Sequence, residues 1–439
     1  MSVAATTTST KPLPNRWIQL LMGVLAMASI ANLQYAWTLF VNPMQKQWNW
    51  DLAAIQGVFA MFILAETWLV PFEAYLIDRF GNRTIVTIGA ILIGISWVGS
   101  GLATTLEALY VCYVIGGVGA GAVYGASVGN ALKWFPDHRG LAAGCTAGAY
   151  GAGTALTVWP IQNMIDSSGY QQAFIVFGII QGVVCLIAAQ FMVAPPKGWL
   201  PAGWDPKAEA IKRGLRQTLR DVSPIGMVKT AEFWLLYAMF VMVAASGLMA
   251  TAQVAPIAKF YGVDKIQLAF GMTALVMAVE VDRVLNGVTR PFWGWVSDHI
   301  GRENTMAIAF SLQGVFILLW MNLTANPIAF VVLTGLVFFS WGEIFSLFPA
   351  TVGDLFGSKY ATTNYGILYT AKGVASIFAG PLAAALFVAM NSWTLIFVIA
   401  MAVNFITAAL AFWVLKPLTQ KYVRVVEVPQ AAPATGGSK

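Results

Sequence analysis

Twelve stretches of this chain are each apolar for long enough to cross ~30 Å of hydrocarbon, a distance that takes about 20 helical residues. Their cores run over residues 17–40, 53–77, 84–104, 108–132, 141–165 and 172–194, then 232–256, 267–292, 305–322, 327–350, 363–389 and 393–415. A bilayer hides that many runs, and it requires each to close its own backbone hydrogen bonds, so the spans are expected to be helices. Composition agrees: 58% of the 439 residues are hydrophobic, only 10% are charged, and mean hydropathy is +0.71. A soluble protein is close to excluded on those values. The 41 glycines suit close helix packing in lipid.

The net charge of +6 would suggest nucleic acid in a soluble protein, but the 25 Lys and Arg are placed by topology. Arg283, Arg290 and Lys372 lie inside runs, Lys46, Lys259 and Lys265 follow odd-numbered runs, and all others lie at the termini or after even-numbered runs. The positive-inside rule makes the latter faces cytoplasmic. The expectation is a multi-pass protein of the plasma (inner) membrane with both termini cytoplasmic and no nucleic-acid partner. Residues 1–16 read as a cytoplasmic tail, because the Ser/Thr-rich start has no positively charged leader. Residues 416–439 read as a second one.

One long polar interruption, 195–231, carries Pro195, Pro196, Pro201 and Pro206 and then Lys207, Lys212, Arg213, Arg216 and Arg220. It divides an N-terminal six-helix half, 17–194, from a C-terminal six-helix half, 232–415. Its basic part is expected to lie as an amphipathic helix on the anionic inner leaflet. Cys112, Cys145 and Cys185 fall inside runs without metal-ligand spacing and read as packing residues. No metal or cofactor is expected. The two histidines, His138 and His299, fall in predicted cytoplasmic loops, and there is no phosphate-binding glycine loop, so the chain does not read as an enzyme.

The two halves repeat a motif. After the second run stand Asp78, Arg79, Gly81 and Arg83, and after the eighth stand Asp298, Gly301 and Arg302, with Asp and Gly both recurring 220 residues later. On these residues the chain resembles the major facilitator superfamily. That resemblance implies twelve helices in two pseudo-symmetric halves that rock about a central site, with these loops as conformational gates. Ala74 stands where the family's motif begins with Gly.

Intramembrane charge then points to cargo. An arginine at mid-membrane depth costs from ~3 to over 10 kcal/mol, so it should face a protein interior or a cavity and have a task there. Arg283, Asn286 and Arg290 form one stripe on the eighth helix, and Tyr365, Tyr369, Lys372 and Ser376 form another on the eleventh. Asn32, Gln34, Tyr35 and Trp37 on the first helix, Gln56, Tyr124 and Trp341 supply polar and aromatic walls. A guanidinium fork matches a carboxylate and Lys takes a second one, so the expected partner besides lipid is a small carboxylate anion, bound by a monomer.

The same residues make the chain similar to the oxalate/formate antiporter family, from about Asn15 to Pro417. The shared stretches are Leu33–Leu39, Val123–Gly125, Lys133–Leu141, Arg290–Gly294 and Asn364–Lys372. The resemblance implies that Arg290 and Lys372 clamp oxalate, with Gln34, Tyr35, Gln56, Tyr124 and Trp341 around it. It also implies exchange of external oxalate for internal formate. The chain departs from that family at Phe345, where a Tyr is usual, and at Tyr369, where a Trp is usual. It also carries intramembrane acids, Glu66, Glu280, Asp282 and Glu343, together with Arg283.

Two mechanisms compete on charge. With only Arg290 and Lys372 charged the empty site carries +2, and closing it buries unpaired charge at several kcal/mol per ion, so only loaded carriers reorient. With the four acids and Arg283 also ionised the sum is −1, and a buried acid that takes up a proton would give proton-coupled monocarboxylate symport (formate, lactate or pyruvate type). Glu280 and Arg283, at i and i+3, are expected to pair locally, with Asp282 pointing elsewhere.

Overall fold

The computed structural model describes residues 14–135, 139–196, 199–201, 221–357 and 360–420. The side chains of Asp78 and Asp298 lie outside the described residues, as do His138, most of both expected tails and the basic part of the linker.

The chain is helical throughout, apart from one isolated bridge between Gln267 and Thr273 among the described residues. The first half runs α1 (Arg16–Tyr35), α2 (Trp37–Trp48), α3 (Leu52–Trp68), α4 (Val70–Phe80), α5 (Asn82–Leu102), α6 (Leu106–Trp134), α7 (Arg139–Ala152), α8 (Val158–Ser168) and α9 (Tyr170–Phe191). After a single turn, Pro224–Met227, the second half runs α10 (Ala231–Phe260), α11 (Ala274–Ile300), α12 (Arg302–Leu323), α13 (Pro327–Phe339), α14 (Ile344–Phe356), α15 (Ala361–Ile377), α16 (Ala383–Met390) and α17 (Thr394–Ala409). Helix starts are closed by side-chain oxygens that accept otherwise unpaired N–H groups. Asp51 accepts from Ala54, Thr230 from Phe233, and Asn326 from both Ile328 and Ala329.

Among the described residues ten helical segments are long and apolar enough to span a bilayer, and the other two expected runs fall short for physical reasons. The fifth run breaks into α7 and α8 around Gly153, where a Cβ would stand 2.8 Å from the Ala28 backbone. The eighth, α11, begins at Ala274 rather than near residue 267 and carries Glu280, Asp282, Arg283 and Arg290. Three further runs are interrupted. The first bends at Ala36, the second at Leu69 and the tenth over Ser340–Glu343, between α13 and α14.

The two repeated turns share a backbone conformation that Gly169 also adopts after α8. Gly81 and Gly301 end α4 and α11 at φ 83°, ψ 157° and φ 89°, ψ 155°, a region that side chains with a Cβ avoid. Each donates its N–H to the carbonyl four residues back, Ile77 and Ser297.

Large apolar side chains cover the outside, for example Ile88, Ile91 and Ile95 on α5 and Ile179, Val183 and Ile187 on α9. Inside, the halves meet along α3 with α15, α7 with α11, and α2 with α10. Glycines set the approach of α6 to α3, since a Cβ on Gly121 would stand 2.5 Å from the Glu66 carbonyl. Cys185 is buried, but Cys145 is exposed, so packing does not account for that thiol.

Candidate functional site

Lys372 projects from α15 at 0% exposure, at the seam between the halves. Its ammonium donates to Glu66 Oε2 at 2.8 Å, Gln34 Oε1 at 2.9 Å and the Tyr369 hydroxyl at 3.1 Å. An ammonium has three N–H donors, so all are used. The Tyr150 hydroxyl on α7 lies 2.9 Å from both Gln34 Oε1 and Glu66 Oε1. Four elements, α1, α3, α7 and α15, thus converge on one buried ion pair.

Arg290 enters from α11. Its Nη1 donates to the Ala147 carbonyl of α7, and its guanidinium lies 4.6 Å from the centre of the Phe345 ring. Lys372 Nζ lies 5.7 Å from the same ring, so one aromatic side chain borders both cations. Arg290 Nε and Nη2 have no hydrogen-bond partner among the described residues. Nor do Gln34 Nε2 and Trp341 Nε1. Each buried polar group left unpaired costs ~1–3 kcal/mol, and an oxyanion accepts from several donors at once. The unpartnered N–H groups of Arg290 can donate to a carboxylate, while Asn286 Oδ1 and both Glu343 oxygens stand as unpartnered acceptors among the described residues.

Aromatic faces complete the walls. Tyr124 stacks on Tyr369 with ring centres 5.6 Å apart, Tyr35 meets Tyr150 edge-on at 5.3 Å, and Trp341 meets Phe345 edge-on at 5.5 Å. Gly247 on α10 lets the Trp341 indole lie flat, because a Cβ there would overlap its ring atoms.

Several expected residues lie elsewhere. Gln56, ten residues from Glu66 along α3, donates to the Ala252 carbonyl and to Gln253 Oε1 and accepts from Trp37, so it ties the halves together away from the cations. Asn32 accepts from Thr157, and Ser376 donates to the Ala60 carbonyl. The expected pairing of Glu280 with Arg283 is corrected. Arg283 donates to the adjacent Asp282 at 3.0 Å and lies over the Tyr35 and Phe338 rings at 4.4 and 4.8 Å. Glu280 instead reaches across the halves and accepts the Trp159 N–H at 3.2 Å. Glu343 is fully buried, with no partner for either oxygen among the described residues.

At the repeated loops, Arg79 lies over the Phe80 ring, Arg83 donates to Gln190, and Arg302 donates to Asp354 and to the Ser297 hydroxyl. Two residues were absent from the expected set. Tyr150 gave no charge signal. Glu73 on α4, 5% exposed with both oxygens unpartnered among the described residues, carried the same intramembrane-acid signal as Glu66.

Comparison with known proteins adds family. The Major Facilitator Superfamily is matched over residues 21–280 and 284–435. An oxalate:formate antiporter of Oxalobacter formigenes is 34% identical over 422 residues, 96% of either chain. The uncharacterized MFS-type transporter YhjX of Escherichia coli (strain K12) is 24% identical over 82% of this chain and 86% of its own. Monocarboxylate transporter 12 of Xenopus laevis is 23% identical over 79% of this chain and 77% of its own.

Proposed function

The chain belongs to the major facilitator superfamily of membrane transporters, and from that premise we propose that it carries small carboxylate anions by alternating access, exchanging oxalate for formate. The observation that carries this reading is Arg290, a fully enclosed guanidinium with two nitrogens unpartnered among the described residues, which shares the Phe345 ring with Lys372. One cation comes from α11 and the other from α15, so an anion between them would bridge helices that pack on different parts of the first half. The 34% identity to an oxalate:formate antiporter supports the choice of anions.

Charge supplies the coupling. Closing the halves over an uncompensated cation costs several kcal/mol, and a bound carboxylate removes that penalty, so loaded carriers cross and empty ones stall. Gln34, Tyr35, Tyr124, Trp341 and Tyr369 line the path. The turns at Asp78, Arg79, Gly81 and Arg83 and at Asp298, Gly301 and Arg302 act as gates at the cytoplasmic end. Both termini lie in the cytoplasm, and a monomer in the plasma (inner) membrane suffices, because one chain holds every group named.

A second reading, proton-coupled monocarboxylate symport, draws on the Glu66–Lys372 pair, which already holds one cation without any cargo. Uptake of labelled oxalate into proteoliposomes preloaded with formate, oxalate or nothing separates the two. Exchange requires an internal anion. Uptake into empty vesicles that rises with an inward proton gradient supports symport instead, and no uptake of either anion removes the carboxylate reading altogether.

A further inference from the structure

We propose that an apolar cleft on the outer face of the second half seats one acyl chain of a bilayer phospholipid, and that the seated chain braces the contact between the halves at Gln56 and Gln253. This requires only that the protein spans a bilayer, and not that it carries carboxylates.

The cleft has a volume of about 270 Å³. Its walls are α10, α17, and a turn of π-helix, Phe378–Leu382, that runs into α16. Small side chains make the room, because Ala245, Ala379, Ala383 and Ala400 line it from all three walls. Phe378, Leu382 and Ile399 line it too and are exposed on the outer surface, so the cleft opens outward. Every wall belongs to a segment long and apolar enough to span a bilayer. The opening therefore meets hydrocarbon rather than water.

The lining selects the occupant. Among the described residues that line the cleft Ser246 alone is polar, and its hydroxyl already donates to the Val243 carbonyl and accepts from Gln313. Water needs several polar partners and finds no free one there. No basic side chain among the lining residues would hold the carboxylate of a free fatty acid, so the fit is to the uncharged stretch of a lipid chain. Met242 and Met249 give that chain adaptable walls.

The same elements carry the contact between the halves on their other side. Pro381 has no N–H to give, and the helix widens around it. Gln253 of α10 donates to the Ala379 and Gly380 carbonyls of that turn at 3.5 and 3.0 Å, and its Oε1 accepts from Gln56 of α3 at 3.2 Å. Gly380 brings the turn against α3, since a Cβ there would stand 2.9 Å from the Gln56 carbonyl. An empty cleft deprives its walls of contacts on one side, and packed walls yield towards a void. That yielding draws α10 and the turn away from α3, and a seated chain prevents it.

The test places the purified full chain in liposomes of phosphatidylcholine with a diazirine in one acyl chain, irradiates them and maps the labelled peptides by mass spectrometry. Label at residues 241–249, 378–386 and 396–403 is expected several-fold above that on Ile88, Ile91 and Ile95 of α5, which are also exposed. Ala383→Phe puts a ring into the cleft and should erase that excess while α5 is labelled as before, which also shows that the variant folds and inserts. For the brace, added phosphatidylcholine should raise the melting temperature of the detergent-purified wild type by several degrees more than that of Ala383→Phe or Gln253→Ala. Equal labelling of the cleft and of α5 in the wild type overturns the seat whatever the variants do, and an equal gain in melting temperature for all three proteins overturns the brace. Neither readout involves transport, so a failure of the carrier reading leaves both standing.

Discussion

Glu66 and Lys372 meet at 2.8 Å, both fully buried, although 306 residues and the whole central linker separate them. Each half of the molecule supplies one charge. The pair therefore joins the halves as well as neutralising an ammonium, and the same helices are tied on either side of it by Ser376 to the Ala60 carbonyl and by Trp68 to the Thr370 carbonyl.

Removing one member of a buried pair strands the other at a cost of ~3–5 kcal/mol, whereas removing both is far milder. Lys372→Met should therefore lower the thermal stability of the detergent-purified protein clearly, and Glu66→Gln together with Lys372→Met should recover most of the loss. Transport should fail in both proteins. Additive destabilisation in the double variant would contradict the pairing.

Arg290→Gln keeps a polar side chain, removes a buried charge that has no acid paired to it among the described residues and should fold, yet carboxylate uptake should vanish. Arg290→Lys keeps the charge but not the planar fork, and should retain uptake at about one-tenth or less, because one N–H direction replaces two. Uptake at the wild-type rate in Arg290→Gln would remove the guanidinium from the site.

A methyl at Gly121 has nowhere to go, since it would press on the Glu66 carbonyl at 2.5 Å and on Glu73 Oε2 at 2.8 Å. Gly121→Ala should cost ~1–3 kcal/mol through overpacking and displace Glu66 from Lys372. Gly94→Ala, where nothing lies within 4 Å of the added carbon, is the matched control and should be nearly silent in the same melting and uptake assays.

The two repeated turns should respond alike. Gly81 and Gly301 share nearly the same φ and ψ, and no atom lies closer than 4.0 Å to a Cβ built on either, so alanine there meets backbone strain alone. Gly81→Ala and Gly301→Ala should each cost ~1–3 kcal/mol in stability. A loss at one turn with none at the other would show that the repeat in sequence is not a repeat in mechanics.

The helical frame was legible because lipid permits few solutions: span-length apolar runs specify helices, and the Asp/Gly recurrence after the second and eighth runs pointed to the superfamily. Arg290 and Lys372 stood out because isolated charge in an apolar run demands explanation. Partners were harder. Spacing along α11 puts Glu280 and Arg283 on one face, yet the shorter reach to Asp282 captured the guanidinium, and Glu280 found a backbone N–H on another helix that no one-dimensional pattern displays. Gln56 has the right chemistry for the site, but its place on α3 gives it Ala252 and Gln253 of α10 as partners. Tyr150 carries no charge and sits just before a helix break, so only the folded chain reveals it between Gln34 and Glu66.

The bond from Trp159 to Glu280 has a kinetic side. Thr157 makes no side-chain cap for α8, so a carboxylate from the opposite half completes that helix start, and it does so only while the halves touch there. A cap contributes ~0.5–2 kcal/mol, a population ratio of roughly two- to thirty-fold between shut and open forms. One hydrogen bond of that size is small beside the binding of an anion. The latch is thus weak enough for cargo to break, and it offsets only part of the several kcal/mol that closure over an unloaded Arg290 costs.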